Sequence, residues 1–142
     1  MATSNAATTY LENKILDFLF KNNSSSFATP GNSIYVGLAT AVSDAEAGSL
    51  TEATFGSYAR QQVTAANWTL TSSSADTQTI KNAANIEFPA STGTTNTVTH
   101  AFIVDAASSG NILFVGQLDA SKTIATGDVF RINTNNLTIE LK

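Results

Sequence analysis

The clearest pattern in the sequence is a helical repeat of apolar residues near the N-terminus. Apolar side chains recur there at spacings that place them on one face of a helix: Leu11, Ile15, Phe18 and Leu19. Thr9 and Glu12 stand three residues apart ahead of this run, as in a capping box. Lys21 suits the negative end of the helix dipole. The pattern predicts a helix over residues 9–21 whose apolar face is buried against the remainder of the chain.

Beyond this helix the apolar positions follow the two-residue period of β-strands. Residues 98–104 are apolar on both faces, which indicates a strand in the middle of a sheet. Residues 112–118 form another strongly apolar strand after a hairpin turn signal at residues 108–111. Residues 44–56 are interpreted as a longer, acidic loop. Short strands with turn residues between them predict a mainly β fold, an antiparallel β-sandwich or barrel with one N-terminal α-helix.

The same pattern predicts a division of the chain into two parts. Residues 1–8 are small and polar, and we expect them to form a flexible N-terminal arm. Residues 9–142 are expected to form a single β-rich domain that includes the helix. A chain of 142 residues is long enough to bury a substantial apolar core.

Composition narrows the classes of partner. Only 13% of the residues are charged, about half the usual share. The seven Lys and Arg residues are scattered, so no basic cluster could neutralise several phosphates, and we expect no nucleic-acid partner. No apolar run reaches the length of a membrane span, and we expect no membrane partner. The absence of cysteine excludes disulfides and thiolate metal sites within the chain.

The residues that usually carry catalysis do not form a recognisable set. His100 is the only histidine and lies in an apolar strand, which favours a packed or interface residue over a general base. The serines do not occur in a Gly-x-Ser-x-Gly turn. Asp105 and Asp119 flank the strongest hairpin and are interpreted as turn-forming. We therefore expect no enzymatic activity, no catalytic residues and no cofactor.

Two further clusters allow a functional and a structural interpretation. Asp44, Glu46 and Glu52 could supply oxygen ligands to a cation, but they do not match a calcium-loop pattern, and a solvated loop is favoured, so we expect no metal site. Trp68, with Tyr58 and Arg60 nearby in sequence, could form a sugar-binding platform. Aromatic residues in strands more often belong to the core, and that interpretation is favoured here as well.

The order of several segments resembles a known family. The segments are YLENKILDFLF (residues 10–20), IYVGLATA (34–41), VTHAFIVDA (98–106), SGNILFVGQL (109–118) and GDVFRI (127–132). Together they resemble a family of small tailed-bacteriophage virion proteins, often labelled phage tail fibre protein. The resemblance spans nearly the whole chain after the arm and implies a structural, non-enzymatic role in the virion, assembled in the cytoplasm of the host bacterium.

A capsid decoration (cement) protein is the first hypothesis, because one compact domain with few charges and no repeat suits a protein that covers a shell. It would stabilise the head by binding across capsomers, with the major capsid protein and copies of itself as partners in a homo-oligomer on the virion. The polar arm would lie on the partner, through the residues Ala2, Thr3, Ser4, Asn5 and Thr8.

The alternative hypothesis is a tail-associated fibre or a host-receptor-binding module. Fibres are usually long and repetitive, which ranks this alternative second. Exposed Thr- and Asn-rich loops, such as residues 91–96 and 44–56, would contact host glycans. A tail or neck connector is a third possibility that the sequence does not distinguish from the other two.

Overall fold

The structure, a computed structural model, describes residues 5–23, 34–74 and 77–141. Within these ranges the chain forms one α-helix, α1 (Thr9–Phe20), and eleven strands. The strands are β1 (Ala6–Ala7), β2 (Tyr35–Asp44), β3 (Ser49–Glu52), β4 (Gln61–Gln62), β5 (Trp68–Ser74), β6 (Thr77–Asn82), β7 (Ile86–Glu87), β8 (Asn96–Val104), β9 (Ile112–Ile124), β10 (Arg131–Ile132) and β11 (Thr138–Leu141). The predicted fold class, mainly antiparallel β with one N-terminal helix, is confirmed.

The larger sheet has the strand order β1-β9-β8-β2-β3, and β4 pairs with the start of β2. All of its pairings are antiparallel. β8 lies between β9 and β2, so the prediction of a central strand at residues 98–104 is confirmed. Its side chains from Ala101 to Val104 are buried on both faces of the sheet.

Two smaller sheets, β11-β6-β5 and β10-β7, accompany the larger one. The main core contains buried side chains from the larger sheet, from the smaller sheets and from the segments that connect them. Its members are Val36, Leu38, Ala53, Phe55, Val63, Ile86, Phe88, Val98, Ala101, Ile124 and Ile132. A second core, on the opposite face of the larger sheet, contains Ala39, Ala45, Phe102, Val104 and Val115. The larger sheet therefore buries apolar residues on both faces.

The expectation of a loop over residues 44–56 is wrong in part. Its first four residues after β2 form a turn, and Ser49–Glu52 then pairs with β2 as the edge strand β3. This strand is only four residues long, and its exposed positions are polar. A short polar edge strand has almost no hydrophobic periodicity, and the pattern of the sequence therefore indicates a loop.

The predicted helix exists, but its cap and its burial differ from the prediction. Thr8, not Thr9, is the N-cap, and its Oγ1 accepts a hydrogen bond from Leu11 N at 3.3 Å. Leu11 is buried, whereas Phe18 and Leu19 are exposed. The expectation that the whole apolar face of the helix is buried in the domain is therefore wrong.

An ion pair joins the larger sheet to the loop between β8 and β9. Arg60 binds the Glu52 carboxylate in a bidentate manner, with Nε–Oε1 and Nη2–Oε2 distances of 2.8 Å. Its Nη1 donates to the carbonyls of Ala106 and Ser109, at 2.9 and 2.6 Å. Tyr58 completes the network, because its hydroxyl donates to Glu52 Oε1 at 2.8 Å. The Arg60 side chain is 9% exposed and the Glu52 side chain 31% exposed, so the pair is partly shielded from water.

These contacts set the ionisation of the network. Burial by itself would raise the pKa of Glu52, but the hydrogen bonds from Arg60 and Tyr58 outweigh it and hold this pKa below its ordinary value. Burial raises the pKa of Tyr58. The hydrogen bond to Glu52 raises the pKa of Arg60 further above its already high value. The network therefore stays charged, as a carboxylate and a guanidinium, over the whole neutral range.

We expect this pair to make the domain sensitive to acid. The pKa of Glu52 is lower in the folded chain than in the unfolded chain, so its stabilisation is complete above the unfolded value, about pH 4.3, and is lost as the pH falls through the folded pKa. Denaturant unfolding at pH 7 and pH 3 would measure this loss. The variant Glu52→Gln should be less stable than wild type at pH 7, with a smaller difference at pH 3.

The exposed pair Glu87–Arg131 supplies a matched control, because both of its side chains are about half exposed. Solvent-exposed ion pairs contribute little to stability. The variant Glu87→Gln should therefore unfold close to wild type at pH 7. A Glu52→Gln variant with the same stability as Glu87→Gln at pH 7 would contradict the role given to the Glu52–Arg60 pair.

Candidate assembly surfaces

The N-terminal residues predicted to contact a partner are only partly described. Ala2, Thr3 and Ser4 lie outside the described residues. Asn5 and Thr8 are described, and both are held by the domain. Thr8 is buried, and its hydroxyl donates to Ile112 O at 2.6 Å while its backbone N–H donates to Leu113 O at 2.9 Å. A deletion that removes only partner contacts must therefore end before Asn5.

Asn5 directly precedes the short strand β1, which lies along the edge of β9. Ala6 and Ala7 pair with Val115 and Phe114, and the Asn5 side chain then accepts the backbone N–H of Gln117 at 2.6 Å. Beyond this point, β9 has no further strand partner on that side within the described part of the chain. The N-terminal residues thus enter the fold at an open sheet edge.

This open edge of β9 is irregular. Between the pairs Val98–Lys122 and His100–Gln117, one residue of β8 lies opposite four residues of β9. Such a bulge breaks the straight row of backbone donors and acceptors that another strand would need. Addition of a regular strand at residues 118–121 is therefore disfavoured.

The second half of α1 exposes apolar side chains. Leu16, Leu19 and Phe20 have 55, 64 and 80% of their surface exposed. At 100° per residue these three positions span an arc of about 100°, which we call the helix arc. Leu11, the buried residue of α1, points in a different direction, about 140° from Leu16 by the same geometry. The helix is therefore anchored at its first turn and presents apolar surface at its last two.

A concave groove lies between β9 of the larger sheet and β11 of the three-stranded sheet. Its volume is about 1460 Å³. Its apolar lining includes Phe114, Leu118, Phe130, Leu137, Ile139 and Leu141. Leu141 is 59% exposed at one wall. Asn5 also lines the groove, so the N-terminal segment enters the domain at its margin.

The acidic residues of the segment 44–52 make hydrogen bonds within the domain. Asp44 Oδ1 accepts a hydrogen bond from Ala47 N at 3.1 Å, and Glu52 binds Arg60. Glu46 contributes its backbone carbonyl to Thr9 N at 2.9 Å. Among residues 5–23, 34–74 and 77–141, no group of three or more His, Asp or Glu side chains is arranged to hold a metal ion.

The other candidate residues also have local structural contacts. Trp68 packs against the main core and donates from Nε1 to Val63 O at 3.3 Å, which confirms the core interpretation. Asp105 accepts hydrogen bonds from the backbone and side chain of Asn111, at 2.6 and 2.9 Å, and so stabilises the hairpin as predicted. Asp119 is exposed within β9, so its interpretation as a turn residue is wrong.

His100 lies in β8 and is half-buried. Thr99 Oγ1 lies 2.8 Å from its Nδ1, and burial lowers its pKa below the ordinary value. A threonine hydroxyl cannot orient and charge the ring as the carboxylate of a catalytic triad does. His100 remains interpreted as a packed residue of the sheet.

Sequence analysis did not identify either the helix arc or the groove. The signal for the arc was present, because Leu16 and Phe20 extend the apolar residues of α1 beyond a single face. For the groove there was no signal, because it depends on the separation of two sheets whose strands are distant in sequence. The role of Arg60 was missed because an isolated arginine in the sequence does not indicate which carboxylate and carbonyl groups the fold places around it.

Comparisons with known proteins agree with a structural component of a phage. Within the described ranges, no helix has both the length and the apolar character that crossing a membrane requires. No curated protein matches the sequence. The sequence does match the family described as Podophage GP4 fiber I protein gp80 over residues 6–140, nearly its full length. The chain therefore belongs to this family of phage fibre-type virion proteins.

Proposed function

We propose that this chain is a non-enzymatic structural subunit of a fibre on the phage tail. The observation that carries the proposal is the match to a fibre protein family over residues 6–140. The match favours the tail-fibre hypothesis over the capsid decoration hypothesis, which the sequence analysis ranked first. Copies of the same chain and a neighbouring tail protein are the proposed partners.

The arguments for capsid decoration apply equally well to a fibre subunit. Small size and low charge suit any protein that repeats within an assembly, on a head or on a tail. The absence of an internal repeat in this sequence does not argue against a fibre made from many compact copies. The helix arc and the groove provide apolar surface for such contacts.

The structural contacts of the polar residues support a role without catalysis. Glu52, Arg60 and Tyr58 hold each other, and Asp105 stabilises a turn. His100 has a threonine as its described hydrogen-bond partner. We propose that these residues maintain the shape of the subunit.

Phage particles produced without this chain would test the proposal. A stop codon in its gene should yield particles with heads of normal heat stability, altered tail appendages and slower adsorption to host cells. Heads that lose their DNA at lower temperature, on particles with normal tails, would contradict the proposal and support a capsid decoration protein. A plasmid copy of the gene should restore adsorption.

A further inference from the structure

We propose that the N-terminal unit, residues 5–23, is exchanged between copies in the assembled state, so that the unit of one copy docks on the β9 edge of its neighbour. The structure defines both the docking site and its occupant, because it shows this unit on the β9 edge of its own chain. The exchange deepens the proposed function, on which it rests for the presence of many adjacent copies.

The unit docks on the domain through its N-terminal end. Within the described ranges, its hydrogen bonds to the domain come from residues 5–9, and their partners are residues 46 and 112–117. Ala6 packs against the second core, and Thr8 and Leu11 are buried. The same backbone and side-chain groups of the domain can therefore receive residues 5–11 from either copy.

The opposite end of the unit, which leads to β2, carries exposed apolar side chains. Leu16, Leu19 and Phe20 have 55, 64 and 80% of their surface exposed. The described docking contacts lie at the other end of the unit, so they do not depend on the direction in which the chain continues after α1. They are therefore compatible with a connection to the same domain or to a neighbouring one.

The segment that joins the unit to β2 is long enough to reach a neighbouring copy. Residues 24–33 are ten residues, and ten residues of extended chain span at most about 33–36 Å. A folded chain of 142 residues has a radius of gyration of about 14–15 Å. The maximum reach therefore exceeds twice this radius, and a copy in direct contact with the first lies within it.

Exchange preserves the buried contacts of the docking site. An empty site would uncover the second core at Val115 and leave the β9 backbone at an open edge, so each copy needs a unit. Exchange of an identical element between protomers is a low-cost route to assembly. The closed form is favoured by the effective concentration of the tethered unit, on the order of millimolar for short linkers. Copies packed side by side in a fibre present their units to each other at a similar concentration.

An exchange in one direction is a heterologous contact, because each copy donates one unit and receives another. Such contacts produce a closed ring when the rotation closes and an open filament when it does not. Both outcomes give a repeating structure from one compact domain.

A disulfide across the docked strands reports which copy supplies the unit. The chain has no cysteine, so the double variant Ala7→Cys with Phe114→Cys introduces a single cross-link, at positions that are paired in β1 and β9. The purified full-length variant is equilibrated with reductant at increasing concentration, oxidised, and run on a denaturing gel without reductant. We expect covalent dimers and larger species to increase with concentration and to reach about half of the protein on the order of 1 mM.

Thr97→Cys with Thr123→Cys is the matched control. These exposed residues are paired in β8 and β9 of one chain, with their Oγ1 atoms 3.1 Å apart, so their disulfide should give a monomer band at every concentration. Circular dichroism would show that each variant is folded, and Ala6→Cys with Val115→Cys replaces the first variant if that one does not fold.

Two results would overturn the exchange: a monomer band alone at the highest concentration, or as much covalent oligomer from the control as from the variant. Because this experiment uses purified protein, either result would leave the position of the chain on the tail untouched. A location on the head would, in turn, leave the pattern of cross-links unchanged. The two proposals can therefore fail separately.

Discussion

Replacing Asn82 with alanine is expected to lower the free energy of unfolding by about 2–4 kcal/mol, since three hydrogen bonds are lost and each contributes about 0.5–1.5 kcal/mol. Asn82 is fully buried in β6. Its Nδ2 donates to Ala84 O at 2.8 Å and to Asn133 O at 2.9 Å, and its Oδ1 accepts Leu137 N at 2.9 Å. One side chain thus fixes the segment between β10 and β11 against β6.

Asn85 supplies the matched control for this substitution. Its Oδ1 also binds the chain between β10 and β11, at Thr134 N, with a distance of 2.9 Å, but Asn85 is exposed and water can replace the bond. Asn85→Ala should cost less than about 1 kcal/mol, as expected for a surface position. Urea unfolding of both variants would measure the difference. Equal midpoints for the two would contradict the role assigned to Asn82.

Gly37→Ala is expected to destabilise the domain by about 3 kcal/mol, at the upper end of the range for overpacking a core. Gly37 pairs with Phe102 across β2 and β8, and the phenyl ring lies directly over it. A Cβ at residue 37 would come within 2.3 Å of Phe102 Cζ. The ring is 1% exposed, and Arg60 lies over it at 5.4 Å from the centroid, so it cannot move aside freely.

A second substitution at Phe102 separates this clash from a general effect of alanine. The double variant Gly37→Ala with Phe102→Leu should lose less stability than the sum of the two single variants, because the shorter side chain leaves room for the new methyl group. Gly93→Ala is the control, since a Cβ there meets no atom within 4 Å. The packing described here would be contradicted if the double variant lost as much stability as the two single variants together. It would also be contradicted if Gly37→Ala and Gly93→Ala lost the same stability.

The sequence pattern predicts the strands in which apolar positions recur strongly, and it misses the strands that are mostly polar. β8 was found because residues 98–104 are apolar on both faces. β3 was not predicted, because Ser49, Thr51 and Glu52 are polar residues of the kind that is common in loops. β9 continues to Ile124, although its apolar pattern ends at Leu118, because a bulge lets polar residues follow inside one strand. Periodicity reports burial, and it therefore fails where a strand lies exposed at an edge.

Prediction of the two candidate surfaces from the sequence is limited in a related way. Helical spacing correctly placed Leu11 and Leu19 on adjacent parts of α1, but it cannot say how far the domain extends along the helix. The domain covers Leu11 and ends before Leu19. The groove is harder still, because its walls, β9 and β11, come from different sheets and are set apart by the packing of the segments between them.

The position of this chain on purified virions tests the central claim most directly. Gold-labelled antibodies raised against the chain, viewed by electron microscopy, should mark the tail appendages and leave the head surface unlabelled. Particles from the stop-codon phage serve as the control and should show no label. Labelling spread over the head, with none on the tail, would contradict the proposal of a tail-fibre subunit.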